Sequence, residues 1–255
     1  MPERAFLIFR LSGPMAAFGR IAVGERRDVW GEPSKSGVLG FVAGALGLRR
    51  DDAEAQAELA AGLGFAVRVD APGRPLRDYH TAQAPKARRG GVWTTRREEL
   101  GPGENLNTVL SERIYRIEAC ATVALWRTGE AGPGLEALAA AIRRPAFAPF
   151  LGRKSCPMGE AAWPEVVEAT GLAAAFEAYD AQRPKVEGAQ PPGPATEVWF
   201  ELGAGLAEED AAARHIRERR DAPGDRLRRR FGNRSEGRLD LAPDPLPDPL
   251  ADIVT

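Results

Sequence analysis

The sequence is short of cysteine and lysine, and both shortages limit what the protein can do. The two cysteines, Cys120 and Cys156, are too few for a disulfide framework and are not spaced as zinc ligands. We therefore expect buried thiols in a reducing compartment and no metal ion or other cofactor. Only four of the 35 basic residues are lysines, which a GC-rich genome would also produce, so the placement of the arginines is more informative than their number.

Long apolar runs are also lacking. None approaches the roughly 20 residues of a membrane-spanning helix, and the first residues show no cleavable signal pattern. The chain is therefore predicted to be cytoplasmic, without membrane contact. Its 255 residues, 44% apolar and 28% charged, are typical of a folded protein with one generous domain or two small ones.

The formal net charge is only −1, which argues against a protein that coats nucleic acid indiscriminately. The charge is nevertheless segregated along the chain. Residues 77–97 hold six basic residues and one acid, residues 214–238 hold ten arginines and four acids, and residues 239–255 hold four aspartates and no basic residue. This pattern predicts that nucleic acid contacts selected faces of the protein.

The order of apolar patterns predicts an α+β fold. Strand patterns occur at residues 5–11, 65–69 and 118–126. Helix patterns occur at residues 37–47, between the first two strands, and at 133–143, after the third. This order suits a ferredoxin-like (RRM-like) βαββαβ domain at residues 1–145. A small irregular or β C-terminal domain is predicted at 146–238, with a strand at 196–202 and a helix-like, arginine-rich stretch around His215. Residues 239–255 are expected to form an acidic, proline-rich tail, extended or disordered.

Residues 74–112 fit no element of that core. They are rich in glycine, proline and charge and far too long for an ordinary connection, so they should be either functional or disordered. Lys86, Arg88 and Arg89 lie here close to Tyr79, a mixture suited to phosphate contact and to stacking on unpaired bases. The positive charge favours a function, although a solvated charged loop has the same composition.

Residues 151–155 form a candidate phosphate site. They combine backbone amides exposed by glycine, the cations Arg153 and Lys154, and the hydroxyl of Ser155. An ordinary turn has the same composition, and the glycine spacing of a nucleotide-hydrolysing P-loop is absent.

Two other cationic features have more than one interpretation. Lys35 and Ser36 lie at a predicted helix N-terminus, where an anion would be stabilised, but simple N-capping explains the serine equally well. Arg229 and Arg230 belong to a run of arginines that suits either RNA or an acidic protein partner.

Several segments resemble, in order and approximate spacing, the CasD family of type I-E CRISPR Cascade subunits, a branch of the RAMP superfamily of RNA-binding proteins. The segments are residues 10–15, 18–19, 33–40, 46–52, 76–81, 122–126, 149–157 and 230–234. The acidic tail departs from the usual end of that family.

The resemblance implies a ferredoxin-like domain whose inserted β-hairpin thumb, here 76–112, grips the five-prime handle of a CRISPR RNA (crRNA). The implied neighbours are the backbone subunit of Cascade and the large subunit that reads the protospacer-adjacent motif (PAM). Target DNA would be reached only through the complex, because guide pairing supplies its recognition. With the charge pattern, the resemblance gives these candidate RNA-binding residues: Met15, Arg26, Arg27, Lys35, Ser36, Tyr79, His80, Lys86, Arg88, Arg89, Arg113, Arg153, Lys154, Ser155, Arg229 and Arg230.

The main alternative is an endoribonuclease that processes CRISPR RNA. Some RAMP proteins cleave RNA without metal, and Tyr79, His80 and Lys86 are the compact trio that could act as general base, general acid and cation. In the type I-C branch the related subunit is the nuclease, whereas in type I-E another subunit processes the guide. We therefore expect binding without catalysis. An RRM is disfavoured because the aromatic RNP signature is missing.

Overall fold

The α+β class predicted from the sequence is confirmed by a computed structural model. The structure describes residues 3–22, 24–85, 92–101, 106–183 and 197–241. The strands of this part are β1 (Arg4–Ser12), β2 (Met15–Ala16), β3 (Arg26–Arg27), β4 (Leu63–Ala71), β5 (Arg74–Pro85), β6 (Leu106–Ile117), β7 (Cys120–Arg127), β8 (Glu165–Ala169), β9 (Glu197–Glu201), β10 (Arg214–Pro223) and β11 (Phe231–Asp240). The helices are α1 (Lys35–Leu46), α2 (Ala53–Ala61), α3 (Arg96–Leu100), α4 (Leu135–Arg143), α5 (Leu172–Gln182) and α6 (Ala207–Ala212).

Seven strands form one antiparallel sheet in the order β10-β11-β9-β4-β7-β1-β8. Helices α1 and α2 connect β1 to β4, and α4 lies between β7 and β8. The middle strands are apolar and buried because helices cover both faces of the sheet. They correspond to the apolar runs that the sequence predicted as core strands.

Alternate residues of β1 pack on opposite sides of this sheet. Leu7 and Phe9 join the apolar core that includes residues of α1 and α4. Phe6 and Ile8 join a second core with Phe176 of α5. Each such side chain, when fully buried, contributes about 1.5–3 kcal/mol, so the sheet is stabilised from both faces.

The C-terminal half completes the same sheet, where the sequence had suggested a separate small domain at 146–238. Strand β8 pairs with β1, and β9 pairs with β4. The stretch around His215 is strand β10, not the helix-like element expected from its many arginines. Its side chains alternate instead, with Arg219 and Asp221 buried and Glu218 and Arg220 exposed, and this period of two is that of a strand.

A buried ionic network joins β10 and β11 to the chain before α1. Arg219 lies 2.7 Å from Glu32 and 3.2 Å from Asp221, and Arg234 lies 2.7 Å from Asp221. Glu236, fully buried, contacts both arginines. Because Asp221 also accepts a hydrogen bond from the first backbone amide of α1, at 2.8 Å, the network fixes the start of that helix.

A second sheet is built on the β5–β6 hairpin. The two strands pair from Arg74 opposite Ile117 to Pro85 opposite Leu106. Strands β2 and β3 also pair with β6. The hairpin therefore extends further at its base than the predicted thumb at 76–112. Residues 86–91 and 102–105 lie outside the described part.

Both cysteines are free and buried, as the sequence predicted. Burial, together with the nearby Asp70 carboxylate, raises the pKa of Cys120 to about 12, so this thiol stays protonated. In the part of the chain that the structure describes, no helix is long and apolar enough to cross a membrane. The acidic tail lies outside that part, apart from its first residues.

Candidate nucleic-acid interface

The hairpin has two faces, because successive residues of a strand point to opposite sides. His80 and Asp78 of β5 lie on one face with their partners on β6, Ser111 and Arg113. We call this the His80 face. Tyr79 and its partner Glu112 lie on the other, the Tyr79 face. Tyr79 and His80 are consecutive residues of one strand, so the alternation of a strand alone places them on different faces. The register adds which residues of β6 share each face.

Three arginines gather on the His80 face. Arg27 of β3 pairs in register with Arg113, so both point to this side. The Arg153 guanidinium lies over the ring of Tyr115, 4.8 Å from its centroid, on the same face. Among the described residues, none of these three arginines forms a salt bridge with a carboxylate. The His80 face is therefore positively charged.

The Tyr79 face is largely neutralised. Arg26 lies 2.7 Å from Asp28, and Arg77 lies 2.7 Å from Glu112. The hydrogen bond and charge of Asp28 raise the pKa of the exposed Arg26 guanidinium. Arg116, at the base of the hairpin on the Tyr79 face, forms no salt bridge with a described carboxylate, and its Nε atom is buried. The His80 face thus has more unpaired positive charge than the Tyr79 face, although the two sides hold similar numbers of arginines.

The candidate phosphate loop, residues 151–155, packs against the chain that follows β1. Leu151 accepts a hydrogen bond from the Ala17 amide at 2.9 Å. Gly152 has φ +86°, and a Cβ there would lie 2.2 Å from the Ala17 carbonyl oxygen, so glycine is required. Lys154 and Ser155 are exposed, whereas Arg153 is partly buried. Lys154 is therefore the freer cation of the pair.

Lys35 is buried and already paired. Its ammonium group lies 2.6 Å from the Glu201 carboxylate, which leaves no free charge for a phosphate. The N-cap of α1 is Ser34, whose hydroxyl accepts from the Gly37 amide at 3.2 Å. Of the predicted pair Lys35 and Ser36, only Ser36 borders open space.

The other candidate residues lie in three places. Met15 pairs with Ile117 and packs against the apolar core. Arg229 and Arg230 are exposed in the turn between β10 and β11, away from the hairpin pairing. Lys86, Arg88 and Arg89 lie outside the described residues.

The nuclease trio is not brought together by the described part of the hairpin. Tyr79 and His80 point to opposite faces, and the His80 Nε2 atom is hydrogen-bonded to Asp78 on its own strand. Lys86, the third member, lies outside the described residues.

A groove of about 600 Å³ borders the candidate phosphate loop. Its lining includes Gly40 and Gly44 of α1, Phe147 and Phe150 of the chain after α4, and Arg226 of the β10–β11 turn. Ser36 and Lys154 also line it. Lys154 of the groove is adjacent in sequence to Arg153 of the His80 face.

The chain matches a known family of CRISPR-associated proteins over most of its length. The family described as CRISPR-associated protein (Cas_Cas5) matches residues 6–235. The chain belongs to the Cas5 family. This Cas5-family chain is 34% identical over 163 residues to the CRISPR system Cascade subunit CasD of Escherichia coli (strain K12), an alignment that covers 61% of this chain and 68% of CasD. The resemblance to CasD stated from the sequence is thus confirmed.

Two solved structures are also similar to this Cas5-family chain. A chain of a CRISPR RNA-guided surveillance complex superposes with a TM-score of 0.61 at 25% identity, covering 92% of this chain and 89% of that one. A crystal structure of a Cas protein superposes with a TM-score of 0.58 at 28% identity, covering 92% and 95%. The likeness extends over nearly the whole fold.

Sequence reasoning missed two parts of the site in this Cas5-family chain. Arg226 was one of ten arginines between residues 214 and 238, and nothing in its local sequence distinguishes it. Phe147 and Phe150 are 50% and 37% exposed. Both lie near prolines, and Phe150 belongs to segment 149–157 of the resemblance, but neither signal indicates a binding surface. Their role depends on the groove, which only the tertiary structure forms.

Proposed function

We propose that this Cas5-family chain is a non-catalytic, RNA-binding subunit of a type I-E Cascade surveillance complex, where it grips the five-prime handle of the crRNA and caps the backbone filament. One observation is the main support, namely the three arginines of the His80 face that have no carboxylate partner among the described residues. Unpaired cations on an exposed face suit the phosphates of a nucleic-acid chain. Membership of the Cas5 family favours guide RNA as that chain.

The partners follow from the same proposal. The crRNA lies on the His80 face and the candidate phosphate loop, next to the backbone subunit and the large PAM-reading subunit. Target DNA is read by base pairing with the guide, so this chain needs to recognise shape and phosphates more than sequence. The complex works in the cytoplasm.

We also interpret strands β8-β1-β7-β4 as the ferredoxin-like unit predicted from the sequence. Their antiparallel order and the helices between β1 and β4 and between β7 and β8 support this interpretation. Strands β9 to β11 extend this unit at the β4 edge. The hairpin inserted between β4 and β7 corresponds to the thumb.

We expect His80→Ala to leave guide maturation intact, because binding without cleavage requires no general acid or base on the hairpin. The measurement is the length of crRNA in cells that express the operon with this variant. Accumulation of uncut precursor would support the nuclease alternative. The matched control is Asp78→Asn, which removes the partner of the imidazole and should likewise leave guide length unchanged.

The two cations of the phosphate loop are expected to behave differently. Lys154→Ala should weaken binding of handle RNA about fivefold at 0.1 M salt and lower the slope of log affinity against log salt by about 0.7, with the fold unchanged. Arg153→Ala should also lower the free energy of unfolding by about 0.5–2 kcal/mol, because its guanidinium packs on Tyr115. Salt titrations and thermal denaturation measure the two effects. Full affinity and an unchanged slope in Lys154→Ala would make this loop an ordinary turn.

A further inference from the structure

The groove beside the phosphate loop has a cationic and partly aromatic lining. The face of α1 that forms its floor includes Gly40 and Gly44, and a Cβ at Gly44 would meet no atom within 4 Å. Phe147 and Phe150 form part of its wall. Its volume of about 600 Å³ lies within the range of about 300–1,000 Å³ typical of small-ligand sites.

Arg226 is the unusual residue of this groove. It is partly buried, and it donates one hydrogen bond, to the Ser36 carbonyl oxygen at 3.1 Å. Its Nε atom is buried without a partner, and no carboxylate of the described residues forms a salt bridge with it. Burial lowers the pKa of this guanidinium, and the nearby charge of Arg50 lowers it further. A partly buried cation whose Nε atom has no partner and which lacks a counter-ion is costly, so the site is suited to an anion that comes from outside.

The lining also has no acidic residue among the described part of the chain. Arg49, Arg50, Lys154 and Arg226 are its charged members, and all are positive. Every charged side chain of the lining would therefore attract an anion bound in the groove. Phe147 and Phe150, which are 50% and 37% exposed, add an apolar surface against which a planar ring can stack.

We propose that the groove binds one unpaired nucleotide of the RNA that lies on the His80 face, with its phosphate at Arg226 and its base against Phe147 and Phe150. This inference rests on the proposed function, because Lys154 lines the groove and adjoins Arg153 of the His80 face. A nucleotide matches both properties of the lining, since it combines a phosphate anion with a flat aromatic base. The glycines allow that base to approach the α1 backbone closely.

A blocking variant tests the groove without removing any charge. Gly44→Leu places a side chain in open space, and leucine has the higher helix propensity, so the fold should be retained. We expect its affinity for an eight-nucleotide, single-stranded RNA from the CRISPR repeat to fall about five- to a hundredfold, the range for losing one stacked base. Ala140→Leu adds the same side chain at an exposed position of α4 and should keep full affinity.

A charge variant tests the phosphate contact. Arg226→Gln should weaken binding of the same RNA about fivefold at 0.1 M salt and lower the log–log salt slope by about 0.7. Arg228→Gln, in the same turn but outside the groove lining, should change neither quantity. Replacing one uridine of the probe with 4-thiouridine should give a photo-crosslink within residues 147–154 that Gly44→Leu abolishes.

The outcomes separate this inference from the proposed function. If variants of Arg27 and Arg113 lose RNA while Gly44→Leu and Arg226→Gln keep full affinity, the groove inference is wrong and the His80 face stands. If instead Gly44→Leu and Arg226→Gln lose RNA while the variants of Arg27 and Arg113 keep full affinity, the groove binds RNA and the His80 face does not. If AMP or UMP alone competes as strongly as the RNA probe, the site takes free nucleotides, which overturns the inference. Loss of partner proteins from the complex with RNA affinity intact would make the groove a protein-docking surface, which overturns it as well.

Discussion

Glu236→Gln should lower the free energy of unfolding by about 3–5 kcal/mol, the cost of removing one partner from a buried ion pair. Glu236 is fully buried and contacts three arginines, Arg217 at 2.6 Å, Arg219 at 3.5 Å and Arg234. Glutamine keeps the size of the side chain but not its charge. Arg219 and Arg234 would therefore lose part of the negative charge that balances their own. Chemical denaturation of the purified chain measures the change.

Glu218→Gln is the matched control for this prediction. Glu218 is on the same β10–β11 ladder, but it is exposed. Removing its charge should change the free energy of unfolding by less than about 0.5 kcal/mol. Equal effects of the two substitutions would show that the buried network does not hold β10 and β11 to the start of α1.

Replacing both Arg27 and Arg113 with alanine should weaken binding of handle RNA about 25-fold at 0.1 M salt. Each phosphate contact to a single strand releases about 0.7 counter-ion, so the loss of one contact lowers the affinity about fivefold at that salt concentration. The loss of two contacts lowers the slope of log affinity against log salt by about 1.4. Both side chains are exposed, so the fold should be retained. Fluorescence anisotropy across a salt series measures affinity and slope together.

The opposite face of the hairpin provides the control. Replacing Arg26 and Arg77 with alanine removes the same number of charges from the Tyr79 face, where Asp28 and Glu112 already pair with them. We expect this variant to keep most of its affinity and its original salt slope. If the two double variants lose affinity equally, RNA does not distinguish the faces, and the account of the His80 face fails.

The core could be predicted from the sequence because its signals are local. The runs that became β1, β4 and β7 are apolar over strand length, and the stripe of α4 repeats at helical spacing. The excess of charge in residues 74–112 likewise indicated an element outside the core. These predictions needed no knowledge of which strands pair.

Other features depend on partners far apart in the sequence. Lys35 is neutralised by Glu201, which lies 166 residues away, so its burial could not be read from the helix start. Strand β10 resembled a charged helix surface because most of its residues are charged, and the acids that pair with the buried Arg219, Glu32 and Glu236, belong to other segments. The placement of Arg27 beside Arg113 follows from strand register alone. Local patterns contain none of this information.

The most direct test of the central claim is the RNA that the chain holds in cells. A tagged copy expressed with its whole operon should be purified under native conditions, and RNA crosslinked to it should be sequenced. The account predicts guide RNAs whose crosslinks fall in the repeat-derived five-prime handle, recovered together with Cascade partners, and a strong loss of those crosslinks when Arg27 and Arg113 are replaced. Recovery of the chain as a free monomer without RNA would contradict it.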